Sequence, residues 1–380
     1  MDNQANRQDV YTYMETLFPF ETVFQLMCVS TNIQADGKRA LERRTGMTAP
    51  AIKSGWVENL GAVNHVFLRG VVCGNHRTVP GILGKGTAIH IGPLRGSRPV
   101  LFEEHSEFEK KRDNRVKEEQ WRDFVIDIDL DDYDMTDKGA VRFCACVGKK
   151  KSCPVCWRYI QAAHAFIEHR LRDRFGVSPE STLWVKSGNK GAHCWIGLPR
   201  FSRAPKELRL AMISQLTSLP GSLDTSEDTA DFHVLVKKAL TPFLNCVLVD
   251  VRFHVVIRDV VSREFGMLAG NIPATTRTAK ELYTWLRSMN NSSWVNQVKL
   301  HLLRVLVAPR YDKAVLTDSS HCTKVPFSVN SGTLRVSIPI INTSDIRKPP
   351  LVSQVIKNPS LIQEETELFK KWVKAYVGTE

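Results

Sequence analysis

The chain lacks long apolar runs. None approaches the roughly 18 residues needed to cross a bilayer, which argues against a helical membrane protein. A secretory leader is also not expected, because Asp2, Arg7, Asp9 and Glu15 interrupt the first twenty residues. There is no internal repeat and no low-complexity tract, which sets aside repeat arrays and disordered tails. Nine cysteines, an odd number in a non-secretory setting, do not read as a disulfide framework. What is present is 380 residues of ordinary apolar content, enough for a large core and two or three domains. The net charge of +12 is moderate and fits a polyanionic partner, although many unrelated proteins are as basic.

Apolar spacing of three and four (Tyr11, Met14, Leu17, Phe20, Phe24) predicts one or two helices over 9–28. Strands are predicted at 65–74, 87–91, 123–130, 182–186 and 193–198. Pro154 opens a helix whose face carries Trp157, Ile160, Ala163, Ile167, Leu171 and Phe175, and Gly176 stops it. Residues 205–305 read as mainly helical, 311–341 as a β-rich return, and 360–376 as an amphipathic helix. The mixture predicts α/β (α+β) architecture with a mixed central sheet flanked by helices.

Three constellations carry chemistry. In Phe124-Val125-Ile126-Asp127-Ile128-Asp129-Leu130 an apolar run ends in two acids one residue apart. On a strand they share a face, and a carboxylate pair suits Mg²⁺ or Mn²⁺. The alternative is a strand running into a solvated acidic turn, since Asp131, Asp132 and Asp134 follow. Second, Cys144, Cys146, Cys153 and Cys156 lie within thirteen positions, a spacing that can close one structural zinc site, the alternative being four separate buried or free cysteines. Third, Ser187-Gly188-Asn189-Lys190-Gly191-Ala192-His193 combines two glycines, a hydroxyl, a cation and a histidine. That set can cradle a phosphate, and it also fits an ordinary Gly-rich hairpin with a packed histidine. Asp312, after Pro309-Arg310-Tyr311, and Lys324, entering a strand, are each weak alone.

Taken in order, these pieces resemble the small catalytic subunit of the archaeal/eukaryotic-type DNA primase family, the eukaryotic form most of all. The residues that carry the resemblance include Leu17-Phe18-Pro19-Phe20, Ile89-His90-Ile91-Gly92 with Ser97-Arg98-Pro99, and Phe124 through Asp129. They continue with Cys153-Pro154-Val155-Cys156-Trp157, Leu183 through Gly188, His193-Cys194-Trp195, Pro309 through Asp312, Lys324 through Val329 and Arg335 through Pro339. The likeness runs from about 10 to 340, with unlike stretches at 31–86 and 205–300.

The resemblance implies a catalytic core over 10–204 and 306–345, with a zinc knob at 144–156, a helical insert at 205–305 and a C-terminal tail and helix at 346–380. It implies synthesis of short RNA primers from NTPs on single-stranded DNA, with Asp127, Asp129 and Asp312 holding two Mg²⁺ or Mn²⁺ ions. Ser187, Lys190, His193 and Lys324 then meet the nucleotide's phosphates on the Gly188-Asn189 turn, and His321 lies near the nucleotide. An arginine from the N-terminal part completes the grip, with Arg69 the best candidate and Arg43 and Arg44 its rivals. The implied partners are the primase large subunit and the DNA polymerase alpha complex, and the implied compartment is the nucleus. The chain departs from the family where two arginines usually follow Ser-Gly (here Asn189 and Lys190) and where a histidine follows Phe-Ser-Val (here Asn330). Lysine lacks the guanidinium fork that grips phosphate with two bonds. Two other readings stand beside the primase: a metal-dependent nuclease, and a catalytically weakened paralogue acting as a zinc-stabilised nucleic-acid scaffold.

Overall fold

The structure is a computed structural model. It describes residues 2–28, 41–50, 63–71, 88–95, 119–134, 153–219, 225–247, 293–317, 323–330 and 332–378, with isolated positions at 281–288. For 41–50, 63–71 and 88–95 the description is of backbone only.

Strand β5 (Phe124–Ile128) lies between the two hydrophobic cores of the fold. Its first three residues are fully buried, because both faces of its sheet are covered. Phe124, Ile126 and Ile128 point into one core, which is built with helix α3 (Pro154–Phe175) and the helices that follow it. Val125 points into the other, with Leu183, Val185, Trp195 and the N- and C-terminal helices. A strand buried on both faces reads as a continuous apolar run, which is what this segment shows. Each fully buried side chain of this kind contributes about 1.5–3 kcal/mol.

The strand partners are β7 (Ala192–Ile196), β6 (Thr182–Lys186) and the two-residue β9 (Ile338–Pro339), in the order β5-β7-β6-β9. A second sheet has the order β2-β1-β3-β4, from β1 (Leu41–Pro50), β2 (Val63–Val71), β3 (Ala88–Arg95) and β4 (Glu119–Trp121). The short β8 (Thr323–Lys324) also pairs with β3, setting Lys324 opposite His90. Every strand pairing among the described residues is antiparallel, in two sheets. The expected single mixed sheet is therefore corrected. A crossover helix does lead from β5 to β6, but the hairpin strand β7 is inserted between them and is antiparallel to both.

Helix α3 keeps the predicted limits. Pro154 stands at its first turn, and Gly176 ends it in the left-handed region, φ 59°, with its N–H on Arg172. At the N-terminus, α1 (Asp2–Thr16) and α2 (Phe20–Cys28) form, but Tyr13 rather than Tyr11 enters the core. The described part of 205–305 is helical: α4 (Lys206–Thr217), α5 (Ser226–Leu235) running through a π-turn into α6 (Thr241–Val247), and α7 (Ser293–Leu302). Ile213, Phe232, Leu240 and Val298 from these helices share one core with β5 and α3. The chain closes with α8 (Val352–Lys357) and α9 (Gln363–Val377), whose Phe369, Trp372 and Tyr376 pack on the opposite face of the sheet.

Candidate active site

Asp127 occupies the last full turn of the pleat in β5, on the face shared by Val125, and pairs in register with His193. Its Oδ1 lies 3.4 Å from His193 Nε2. The strand stops at Ile128, earlier than the expected 130. Asp129 begins a turn instead: its Oδ1 accepts the N–H of Asp131 at 3.0 Å, and a 3₁₀ helix runs over Leu130–Asp134. This local bond is what an aspartate does at a strand exit. The acidic turn that follows the strand is an ordered one, anchored by Leu130 and Tyr133, both buried.

Asp312 arrives from 185 positions beyond Asp127, after the π-turn Leu303–Val307 that ends α7. Two contacts bring it in. Tyr133 Oη accepts the N–H of Arg310 at 3.4 Å, and the N–H of Asp312 donates to the carbonyl of Asp127 at 3.1 Å. Its carboxylate Oδ1 caps Ala314 N–H at 2.8 Å and is exposed. The carboxyl of Asp132 records the crowding. It is pushed up to about 6, first by burial and then by the charges of Asp129, Asp127, Asp312 and Asp131. Surplus negative charge on oxygen donors is the setting for a hard divalent cation.

Cations surround the acids. Lys190, almost buried, places Nζ 2.7 and 2.6 Å from the two oxygens of Asp131. Lys324 is lowered by burial and held up by Asp127. The segment that carries Lys324 is fixed by Phe327, which takes φ 69°, donates its N–H to Ser337 O and accepts from Tyr13 Oη.

The Ser187–Gly191 turn is a hairpin tip in which both glycines are demanded by packing. A side chain on Gly191 would meet the carbonyl of Ile128 at 2.4 Å. Gly188 has φ 82° and abuts Arg335. Ser187 Oγ accepts from Gly191 N–H (3.1 Å) and Asn189 N–H (3.4 Å), which leaves its proton to be directed outward. Asn189 is exposed. Asn330 caps its own turn, its Oδ1 accepting from Gly332 N–H, Thr333 N–H and Thr333 Oγ1.

On the other face of the hairpin, Cys153 caps α3 and its sulfur lies 3.5 Å from that of Cys156. Two thiolates on one zinc stand about 3.8 Å apart, from a bond of about 2.3 Å in a tetrahedron, so this pair fits one edge of such a site. Cys144, Cys146 and His321 lie outside the described residues, as does the side chain of Arg69.

The sequence reading missed Asp131 and Asp132 as members of the cluster. The available signal was Tyr133, a large aromatic inside an acidic run, which needs a core to enter. A further group, His169, Asp173 and Asp231, has ligand atoms within 4.8 Å of one another. Arg170 already neutralises Asp231 there at 2.7 Å, so the arrangement reads as a buried Arg170–Asp231 ion pair with His169 hydrogen-bonded to the same carboxylate. Among the described residues, no other group of three such ligand atoms lies that close, the acids about Asp127 included.

A family model described as the DNA primase small subunit matches residues 126–341, more than half of the chain. The chain is 23% identical over 315 residues to the DNA primase small subunit of Caenorhabditis elegans, covering 73% of this chain and 72% of that one. With that of Saccharomyces cerevisiae it shares 23% over 411 residues, covering 99% and 92%. With that of Drosophila melanogaster it shares 24% over 286 residues, covering 65% and 63%. The matched span opens within β5 and closes just after β9, so it encloses Asp127, Asp129, the hairpin tip, Asp312 and Lys324. The chain belongs to the DNA primase small subunit family.

Proposed function

We propose that this chain joins ribonucleotides into short RNA primers on a single-stranded DNA template, by nucleotidyl transfer at the Asp127 cluster. The observation that carries this reading is the docking of the Asp312 amide on the carbonyl of Asp127, which gathers acids 185 positions apart beside three basic groups. Asp127, Asp129 and Asp312 would hold two Mg²⁺ or Mn²⁺ ions. Bound there, such ions would supply Lewis acidity toward a primer 3′-hydroxyl and positive charge toward the pyrophosphate leaving group. Lys190, His193, Lys324 and the hydroxyl of Ser187 orient the triphosphate, with Gly188 and Asn189 forming the tip of the turn. Lys324 acts as a compact point charge whose protonation Asp127 supports. Arg69 and His321 are assigned to the nucleotide from the family resemblance alone. The same reading places the catalytic core at 10–204 and 306–345, the helical insert at 205–305 and the tail at 346–380. It also implies a large-subunit partner, a polymerase alpha complex and the nucleus. Among the described residues, no helix is long and apolar enough to cross a membrane.

Phosphate-directed cations favour a triphosphate substrate over hydrolysis of a diester by water. The test is incubation with poly-dT, ATP and Mn²⁺, comparing the wild type with Asp127→Ala/Asp129→Ala. Adenylate oligomers made by the wild type and absent from the variant are expected. Shortened template would instead make the protein a nuclease, and no metal-dependent reaction would make it a scaffold.

One structural zinc is proposed at Cys144, Cys146, Cys153 and Cys156. Cys153, at the N-cap, and Cys156, in the first turn, stand at the N-terminus of α3, where the helix dipole favours thiolates. Elemental analysis of the purified chain is expected to give one zinc per molecule. Cys153→Ser/Cys156→Ser should lose it and melt at a lower temperature, since metal binding is folding energy in such knobs. A variant that keeps both zinc and melting temperature would refute the assignment.

A further inference from the structure

We propose that Asp131 sets how tightly this chain holds the incoming nucleotide, by engaging Lys190 as its counter-ion. The inference rests on the nucleotidyl-transfer reading above. Lys190 offers three N–H donors, and both oxygens of Asp131 lie within 2.7 Å of its Nζ. The lysine side chain is 8% exposed and that of Asp131 is 51% exposed. An arriving phosphate therefore meets a cation that is already neutralised, and must displace the carboxylate or use what donor capacity remains.

The pair is not what holds the hairpin tip in place. Ser187 N–H bonds Gly191 O, Gly191 N–H bonds Ser187 Oγ, Thr333 Oγ1 donates to Gly188 O, and Gly191 packs on Ile128 O. A half-exposed ion pair adds little stability to such a frame. What the pair does change is charge. The N–H of Asp131 binds Asp129 Oδ1, so its carboxylate stands between the acid cluster and the tip lysine. Removing it would leave Lys190 uncompensated and facing the anion. An arginine at 190 would reach the same end differently, because its five donors can serve Asp131 and a phosphate together.

The test measures equilibrium binding of α,β-methylene-ATP with Mg²⁺, together with KM and kcat for ATP on poly-dT. Asp131→Asn is expected to lower Kd and KM by about two- to fivefold, the weight of one partly exposed charge pair. The change should fall on KM more than on kcat. In a Lys190→Met background, Asp131→Asn should give no gain. Lys190→Arg, which keeps the carboxylate, should also tighten binding and serves as the second variant if Asp131→Asn folds poorly. Unchanged or weaker binding by Asp131→Asn, or an equal gain in the Lys190→Met background, would overturn the proposal. So would weaker binding by Lys190→Arg. A wild type that binds the analogue but makes no adenylate oligomers would overturn the functional reading instead, and the binding ratios would still report on the pair.

Discussion

Asp312→Asn is expected to cut divalent-ion-dependent nucleotidyl transfer by about a thousandfold or more, the scale of losing a group that stabilises transition-state charge through a metal. The variant should remain folded. Asparagine keeps an oxygen that can accept from Ala314 N–H, and the backbone bond from residue 312 to the Asp127 carbonyl does not involve the side chain. Without divalent ions the variant should even be more heat-stable than the wild type. Asp132 explains why. Its carboxyl is pushed from 3.8 to about 6, and Asp312 is one of the causes. A raised carboxyl favours the protonated form in the folded chain, so that contribution is complete at low pH and is lost as pH rises from about 4 to about 6. At neutral pH the crowded acids therefore cost stability, and removing one relieves part of that cost. Melting curves in EDTA check the sign. Adding Mn²⁺ should then raise the wild-type midpoint more than that of the variant, because on the proposed reading only the native state of the wild type would offer all three carboxylates. A variant that polymerises ATP normally would remove Asp312 from the site.

Much of this centre was legible in the sequence, and what was not has a common cause. The apolar run before Asp127 predicts a buried strand, and Pro154 with Gly176 marks α3 to the residue. These features depend on chain neighbours, whose periodicity is local. The nearness of Asp312 to Asp127 depends on a buried tyrosine and one backbone bond across 185 positions, which no local pattern contains. The Lys190–Asp131 pair is likewise a contact 59 residues apart. Family resemblance supplied the grouping of the three acids, but it could not supply Asp131. Gly188 and Gly191 are also needed where backbone meets backbone, a requirement that Gly-rich composition alone does not reveal. The sheet class was misjudged because β7 intrudes between β5 and β6, and strand order is not written in strand pattern.

Asp231→Ala is expected to destabilise the chain by about 3–5 kcal/mol, the cost of leaving buried charge uncompensated. Asp231, on α5, has a side chain only 2% exposed and faces two groups from α3. His169 Nε2 stands 2.7 Å from one oxygen, and Arg170 Nη2 stands 2.7 Å from the other. Arg170 is lowered by burial and held up chiefly by this aspartate, so alanine leaves a guanidinium in a low-dielectric site with Ser218 O, the ring of Phe166 and the weaker charges of Asp173 and Asp228 to offset it. Denaturant unfolding should show the loss as a lower midpoint with an unchanged slope. The double variant Arg170→Met/Asp231→Leu separates charge from packing. Replacing a buried pair by apolar groups of similar size is often near neutral, so it should recover much of the loss. If the triad were a metal site, Zn²⁺ or Mn²⁺ would raise the wild-type midpoint and Asp173→Ala would abolish that rise. As a buried ion pair it needs neither, because Arg170 already supplies the positive charge, and Asp173→Ala at an exposed position should change little.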